Sequence, residues 1–279
     1  MDEKAEAVRR VARVFEEVAE DYDQSGVSFF GPIADGLVEL LAPAAGEHLV
    51  DVGCGRGALT LPAAKAVGPG GRVTALDISP AMVDLTRRAA ADAGLTQVTA
   101  ALVDPDDLGV PEGSADVVGS SLVLFFAPDP ETTLASWVRL LVPGGRIGIS
   151  TFRDADPTWT RVDALFRPHL PPALLDARTT GRAGPFSSDE AVEQLFATCG
   201  ATDLRTERRE LDIHFPDAEA WRRFSMSTGQ RAFWRFVPEE RREPLFAEAA
   251  EILEDARTEA GDLVLVQDVR YTLGRRVGT

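Results

Sequence analysis

Lysine, histidine and cysteine are all scarce in this chain of 279 residues. The two cysteines, Cys54 and Cys199, are far apart. They give neither a disulfide framework nor a zinc-ligand spacing, so no metal is expected. The only lysines are Lys4 and Lys65, and no Gly-Lys-Ser/Thr occurs, which excludes a P-loop phosphate site. Gly-x-Ser-x-Gly is absent as well, against a common hydrolase elbow. No apolar run approaches the roughly 18 residues of a membrane span. The charged start, MDEKAEAVRR, has no apolar core of a secretory signal. A cytoplasmic protein without membrane insertion is expected. Positive charge is also in deficit: 29 Lys and Arg face 45 Asp and Glu, a net charge of −16. Such a field repels polyanions and argues against nucleic acid as a partner. The arginines of 205–242 are interleaved with acids such as Glu207, Glu210 and Asp212 and read as a mixed solvated surface.

What is present is an alternation of strands and helices. Residues 3–20 are amphipathic, with Ala7, Val11, Val14, Phe15 and Val18 at helical 3/4 spacing, and 32–42 follow as a second helix. Strands are predicted over 48–53, 71–78, 98–104, 115–125 and 146–152, and helices over 57–67, 79–93 and 130–141. Ser79 and Pro80 mark the start of the 79–93 helix as N-cap and N1. This order implies a parallel sheet with helices on both faces. Residues 153–187 show no clear period; a capped helix over 187–200, a strand over 202–215, helices within 217–258 and a last strand over 263–274 complete the chain.

The chemistry concentrates in HLVDVGCGRGALTL, residues 48–61. Gly53, Gly55 and Gly57 sit where a strand turns into a helix. Glycines there admit positive φ and close approach of backbone to a ligand, and the helix that follows offers free N–H groups. Cys54 reads as a small loop residue, and Asp51 as a carboxylate that orients the loop or faces an ammonium indirectly. Asp77 ends the second strand, where an acid takes ribose hydroxyls, and Asp104 ends the third, where a carboxylate can accept from an exocyclic adenine amine. Two ligands suit this layout. A nicotinamide dinucleotide would need a second mononucleotide half, which the chain after Phe152 does not resemble. S-adenosylmethionine needs only one.

The blocks FEEVAEDYD (15–23), LVDVGCGRG (49–57), VTALDISPAMVDLTRR (73–88), LVDPDDLGVPEGSADVV (102–118), SSLVLFFAPDP (120–130) and RLLVPGGRIGIS (139–150) resemble, in order, the class I S-adenosylmethionine-dependent methyltransferases, in particular the ubiquinone/menaquinone-biosynthesis branch. The resemblance implies an α/β, Rossmann-like fold: a seven-stranded, mostly parallel sheet with helices on both faces, an N-terminal helical cap (1–45), a cofactor-binding core (46–152) and a substrate lid with the final strands (153–279). It implies that the glycine loop holds the methionyl tail and Asp77 the ribose. Ile78 and Met82 would pack on adenine, Asp104 would take its amine, Ser120 and Ser121 would lie under the amino group, and Tyr22 would close over the cofactor. Two departures stand out. Pro105 lacks the N–H that relatives offer to adenine, so that bond is lost, taken by Asp106 or made through water. Phe125-Phe126 replaces a segment in which many relatives carry His. Phe29, Phe30, Phe125, Phe126, Phe152, Trp159 and Trp221 suggest an apolar, polycyclic or isoprenoid-like acceptor, and His169 is the candidate base; His48 and His214 read as structural. The expected function is methyl transfer from S-adenosylmethionine, leaving S-adenosylhomocysteine, to such a small molecule. The alternative is a fold relative that keeps the cofactor but catalyses a cyclisation. A homo-oligomer, by exchange of the N-terminal helix, is left open.

Overall fold

The computed structural model describes residues 3–171 and 183–278. Residues 172–182, part of the stretch expected to be irregular, lie outside the described residues. One sheet organises the rest. Its strands are β1 (His48–Val52), β2 (Arg72–Asp77), β3 (Val98–Leu102), β4 (Ala115–Ser121), β5 (Leu141–Ala155), β6 (Ala201–Phe215) and β7 (Leu263–Arg276), in the order β3-β2-β1-β4-β5-β7-β6. β1 to β5 are parallel. β7 runs antiparallel to both β5 and β6. Strand order reverses between β1 and β4, and at such a switch point the loops leaving the two strands diverge and open a crevice at their carboxyl ends.

The helices are α1 (Glu3–Val18), α2 (Phe30–Leu41), α3 (Thr60–Val67), α4 (Pro80–Asp92), α5 (Pro130–Leu140), α6 (Pro157–Phe166), α7 (Asp189–Thr198), α8 (Ala218–Met226), α9 (Arg231–Phe236) and α10 (Glu239–Leu253). α2, α3 and α4 neighbour one another over one face of the sheet; α5 and α7 meet over the other. α6, α8 and α10 pack together beyond the sheet's carboxyl edge. Local chemistry sets the helix starts. Ser79 caps α4 by accepting from the Met82 N–H, with Pro80 at N1, and Asp129, Ser188 and Asp217 do the same for α5, α7 and α8. α2 lies close on the sheet because β4 and β5 present glycines beneath it. A Cβ on Gly148 would stand 3.0 Å from Leu41 and 3.1 Å from Leu37. No described helix is long and apolar enough to cross a membrane.

Four boundaries differ from expectation for identifiable reasons. The fourth strand ends at Ser121, not 125, because Leu122 takes a left-handed φ of 60° and residues 124–126 form a 3-10 turn. The third strand stops at Leu102, where an Asp104–Asp107 turn begins. The fifth begins at Leu141, so Pro-Gly-Gly lies inside it at a register shift. The 57–67 helix begins only at Thr60, which puts Pro62 in the first turn, where its missing N–H has no helical partner to lose. The stretch 153–187 contains the capped helix α6, which its Pro-rich composition hid.

β7 is tied to α2 by Tyr271, which is fully buried and donates from Oη to the Ile33 carbonyl at 3.0 Å. Tyr271→Phe removes only that bond and is expected to lower the unfolding free energy by about 1 kcal/mol in urea titration.

Candidate functional site

At the switch point the backbone after β1 is held from β2. The Gly53 and Cys54 N–H groups both donate to the Leu76 carbonyl, at 2.8 and 2.9 Å. Gly53, Gly55 and Gly57 take φ of 78°, 53° and 92°. A Cβ on Gly53 would also lie 2.4 Å from the Val123 side chain, so side-chain volume as well as φ excludes other residues there. Asp77, at the end of β2, joins the loop to the next helix. Its Oδ2 accepts from the Gly55 N–H and its Oδ1 from the Ser79 N–H, each at 2.9 Å. Burial pushes its carboxyl above the ordinary range, opposed by these backbone donors.

A cavity of about 150 Å³ opens beside this carboxylate. Gly53, Gly55 and Tyr22 border one part of it; Ile78, Met82, Val103, Pro105 and Leu108 form an apolar shelf. Ser121 and Phe126 border it from the β4 side, and Val8, Val11 and Phe15 of α1 form a wall. Tyr22 stacks on Phe30 with ring centroids 4.7 Å apart, and Phe15 meets Tyr22 and Phe126 edge-on at 5.9 and 5.5 Å. From there the rings continue inward: Phe30 to Phe29 (4.9 Å), Phe29 to Phe224 (5.2 Å) and to Trp159 (6.2 Å), and Phe126 to Phe125 (4.6 Å). A larger hollow of about 260 Å³ lies between Arg153, Asp189 and Arg270. Its arginines are already paired, Arg270 with Asp189 at 2.6 Å and Arg153 with Asp189 and Asp268. We therefore place the site at the smaller cavity, where the glycine loop and a buried acid meet.

Tyr22, Gly53, Gly55, Asp77, Ile78, Met82, Pro105, Ser121 and Phe126 thus reach the cavity together, and several other expected residues do not. Asp104 is exposed: its Oδ1 caps its own turn by accepting from the Asp106 N–H at 2.9 Å, which draws it off the cavity wall. Asp106 is also exposed and pairs with Lys4 at 2.6 Å. Ser120 is buried and bridges strands by donating to the Val52 carbonyl at 2.7 Å. Cys54 packs among Ala75, Val83 and Ala100, and burial raises its thiol well above the ordinary range. Gly57 serves the turn, its N–H donating to the Cys54 carbonyl. Phe29, Phe30, Phe125 and Trp159 stand behind the wall in the ring network rather than on it. Trp221 is fully enclosed against Trp234, so it packs a helical core instead of touching the cavity. His169, the expected base, sits on a 3-10 turn after α6 and is not among the residues on the cavity wall. His48 is bound between the Ser114 carbonyl and Thr74 Oγ1, and His214 pairs with Asp262. An N-terminal cap was expected, but not that Val8, Val11 and Phe15 would line this cavity; the 3/4 spacing showed the apolar face of α1 but not what that face covers.

Asp51 lies one layer deeper, 1% exposed. Its Oδ2 accepts from Thr60 Oγ1 at 2.5 Å, and its Oδ1 is buried without a partner. Burial, with a smaller contribution from the Asp77 charge, pushes its pKa up to about 7.

Residues 50–149 match a family model described as "Methyltransferase domain". The chain is 37% identical over 276 residues to nocamycin O-methyltransferase of Saccharothrix syringae, covering 94% of this chain and 97% of that one. It is 36% identical over 168 residues to aklanonic acid methyltransferase DauC of Streptomyces sp. (strain C5), covering 60% and 76%. Among solved structures, the YcgJ protein of Bacillus subtilis shares the fold with a TM-score of 0.58 at 14% identity, covering 89% of this chain and 99% of that one.

The buried acid sets a pH dependence. In the folded chain Asp51 keeps its proton up to about pH 7, whereas in the unfolded chain it loses it near pH ~4. The stability this gives is fully present below the unfolded value and is lost as pH rises through the folded one. Stability of the ligand-free chain is expected to fall by on the order of 2 kcal/mol between about pH 5.5 and about pH 8. Denaturant titrations at the two pH values should show most of that fall abolished by Asp51→Asn.

Proposed function

The chain belongs to the class I S-adenosylmethionine-dependent methyltransferases, and on that premise we propose that it methylates an acidic oxygen of an apolar, ring-bearing small molecule. S-adenosylmethionine is the methyl donor and supplies an already activated electrophile. The observation that carries the reading is the placement of Asp77: a buried carboxylate between a close-approach glycine loop and an apolar shelf. That combination of acceptor, close-approach backbone and apolar surface suits a nucleoside with an amino-acid tail. In this reading Asp77 accepts the ribose hydroxyls with the lone pairs left over from Gly55 and Ser79. Ile78, Met82, Val103 and Leu108 take the adenine faces. The Gly53–Gly55 loop and Ser121 flank the methionyl tail, and Tyr22 covers it. Asp104 is left out, and Pro105 contributes surface rather than a hydrogen bond. Residues 1–45 act as a cap, 46–152 as the cofactor core and 153–279 as the lid with the final strands.

The acceptor class follows from what the cavity offers it. Among the described residues, the titratable side chains on the wall are Lys4, Tyr22 and Asp77. Tyr22 is pushed far above its ordinary value by burial and by the charges of Asp23 and Asp77, so it keeps its proton at neutral pH. Asp77 is engaged by backbone donors. An acceptor that arrives already ionised, as a carboxylate or an acidic phenol or enol, needs no base. The wall, largely apolar, then favours transfer, because the anion and the sulfonium cancel their charges as the bond forms, and a poorly solvating pocket opposes that loss less than water does. One relative is named for O-methylation and another for an acid substrate, which supports this reading.

Two measurements test the reading. Incubated with methyl-labelled S-adenosylmethionine, the chain should label carboxylic acids and acidic phenols in preference to amines, with a rate nearly independent of pH above the acceptor's own pKa. A product altered while the label stays on the cofactor would instead indicate the cyclisation alternative. In calorimetry, Asp77→Asn is expected to weaken S-adenosylhomocysteine binding by about tenfold to a hundredfold, since hydrogen bonds to a charged acceptor contribute about 1.5–3 kcal/mol.

A further inference from the structure

α1 forms a wall of the cavity but has few of the contacts that hold a helix in place. Within residues 3–18 only Val18 is buried, and its apolar residues Val8, Val11 and Phe15 face a cavity rather than packed core. An exposed pair, Lys4 with Asp106, ties its N-terminal end; its C-terminal end is held from three sides. Glu16 reaches the start of α4, accepting from Ser79 Oγ at 2.6 Å and the Ala81 N–H at 3.1 Å. Arg56, inside the glycine loop, donates to the carbonyls of Ala19 and Glu20 at 2.8 and 3.1 Å. The third hold comes from the far end of the chain. Arg231 of α9 donates to the Glu17 carbonyl at 3.0 Å and to Asp21 Oδ2 at 2.8 Å, and Arg235, one turn on, pairs with Glu17. Guanidinium groups here satisfy carbonyls that a helix end leaves unpaired, and they complement its negative pole.

We propose that Arg231 and Arg235 are positioning residues that hold α1 closed over the cofactor cavity, so that the state of the lid sets how long the cofactor stays. The proposal rests on the reading of that cavity as the S-adenosylmethionine site. Neither arginine borders the cavity, so any effect on a ligand there passes through α1. The lid reaches the same place by a second route. α8, which a short turn joins to α9, carries Phe224, and the rings run Phe224–Phe29–Phe30–Tyr22. This chain of packed rings and the arginine pair therefore bear on one end of α1. Acceptor binding that steadies α8 and α9 slows cofactor loss, and bound cofactor, by linkage, tightens the acceptor to the same degree. Exposed ion pairs are individually weak. These matter because α1 has so little buried apolar surface to hold it otherwise.

The test uses the full chain and S-adenosylhomocysteine, displaced in a stopped-flow experiment. The double substitution Arg231→Ala/Arg235→Ala is expected to speed dissociation by about tenfold, the effect of losing two partly exposed pairs and one charge-assisted carbonyl bond. Amide exchange over residues 3–18 should rise while exchange in β1 and β4 stays unchanged. The charge-swapped pair Glu17→Arg/Arg235→Glu should dissociate more slowly than either single change. A dissociation rate within about twofold of the parent, or a swapped pair with no rescue, overturns the proposal. Should the double substitution not fold, Arg235→Gln decides by the same readouts. A parent chain that binds no S-adenosylhomocysteine removes the cofactor reading instead. Exchange over residues 3–18 in the ligand-free chain then decides the joint alone, unchanged protection in the double variant overturning it.

Discussion

The structure depends on one buried carboxylate accepting from two directions at once. Asp77 fixes the glycine loop through the Gly55 N–H and the start of α4 through the Ser79 N–H. A charge with so little water around it is costly unless backbone dipoles replace the lost solvent, and the loop and the helix N-terminus supply them. The same two bonds that make the acid tolerable also fix the loop leaving β1 against the end of β2 and the start of α4. Glycine at 55 is therefore required by the acid's geometry as much as by any ligand, since only a backbone free to take positive φ can bring its N–H to that point.

Around this centre the fold divides its tasks by position. The parallel strands bring Asp51, Asp77 and Ser121 to one edge because each ends at the carboxyl side of the sheet. The antiparallel β6–β7 pair widens that edge, and the helices beyond it bring in the aromatic residues. The result is a small cavity with an acid on one side and a continuous set of rings on the other. In the proposed function this contrast is the mechanism: polar groups hold a nucleoside, and apolar ones make the meeting of an anion and a sulfonium favourable. The protein needs to align and enclose rather than to move a proton.

Much of this was legible beforehand, for physical reasons that differ from residue to residue. β1, β2 and the start of α4 carry strong local signals: a buried apolar run, a glycine turn, and Ser79 before Pro80. Asp77 was readable because a strand's last residue has a fixed direction relative to the sheet. Asp104 was not, because its strand stops two residues earlier and its side chain turns back onto the Asp106 N–H; a turn-capping aspartate looks identical in sequence to a ligand-facing one. Trp221 misled, and the lining of α1 went unread, for a related reason. Periodicity reports that a residue is buried, never against what, so Trp221 became helical core and Val11 and Phe15 became a cavity wall. The arginines of α9 gave no signal at all, since pairing across more than two hundred positions leaves no local pattern.

The central claim is that Asp77 grips the ribose of a single adenosine-bearing cofactor. A crystal structure of the chain with S-adenosylhomocysteine tests it most directly. The account predicts both ribose hydroxyls within about 3 Å of the Asp77 oxygens, with adenine on the shelf of Ile78 and Met82. Ligand bound elsewhere, or an Asp77 whose oxygens meet only backbone in the occupied site, would contradict it.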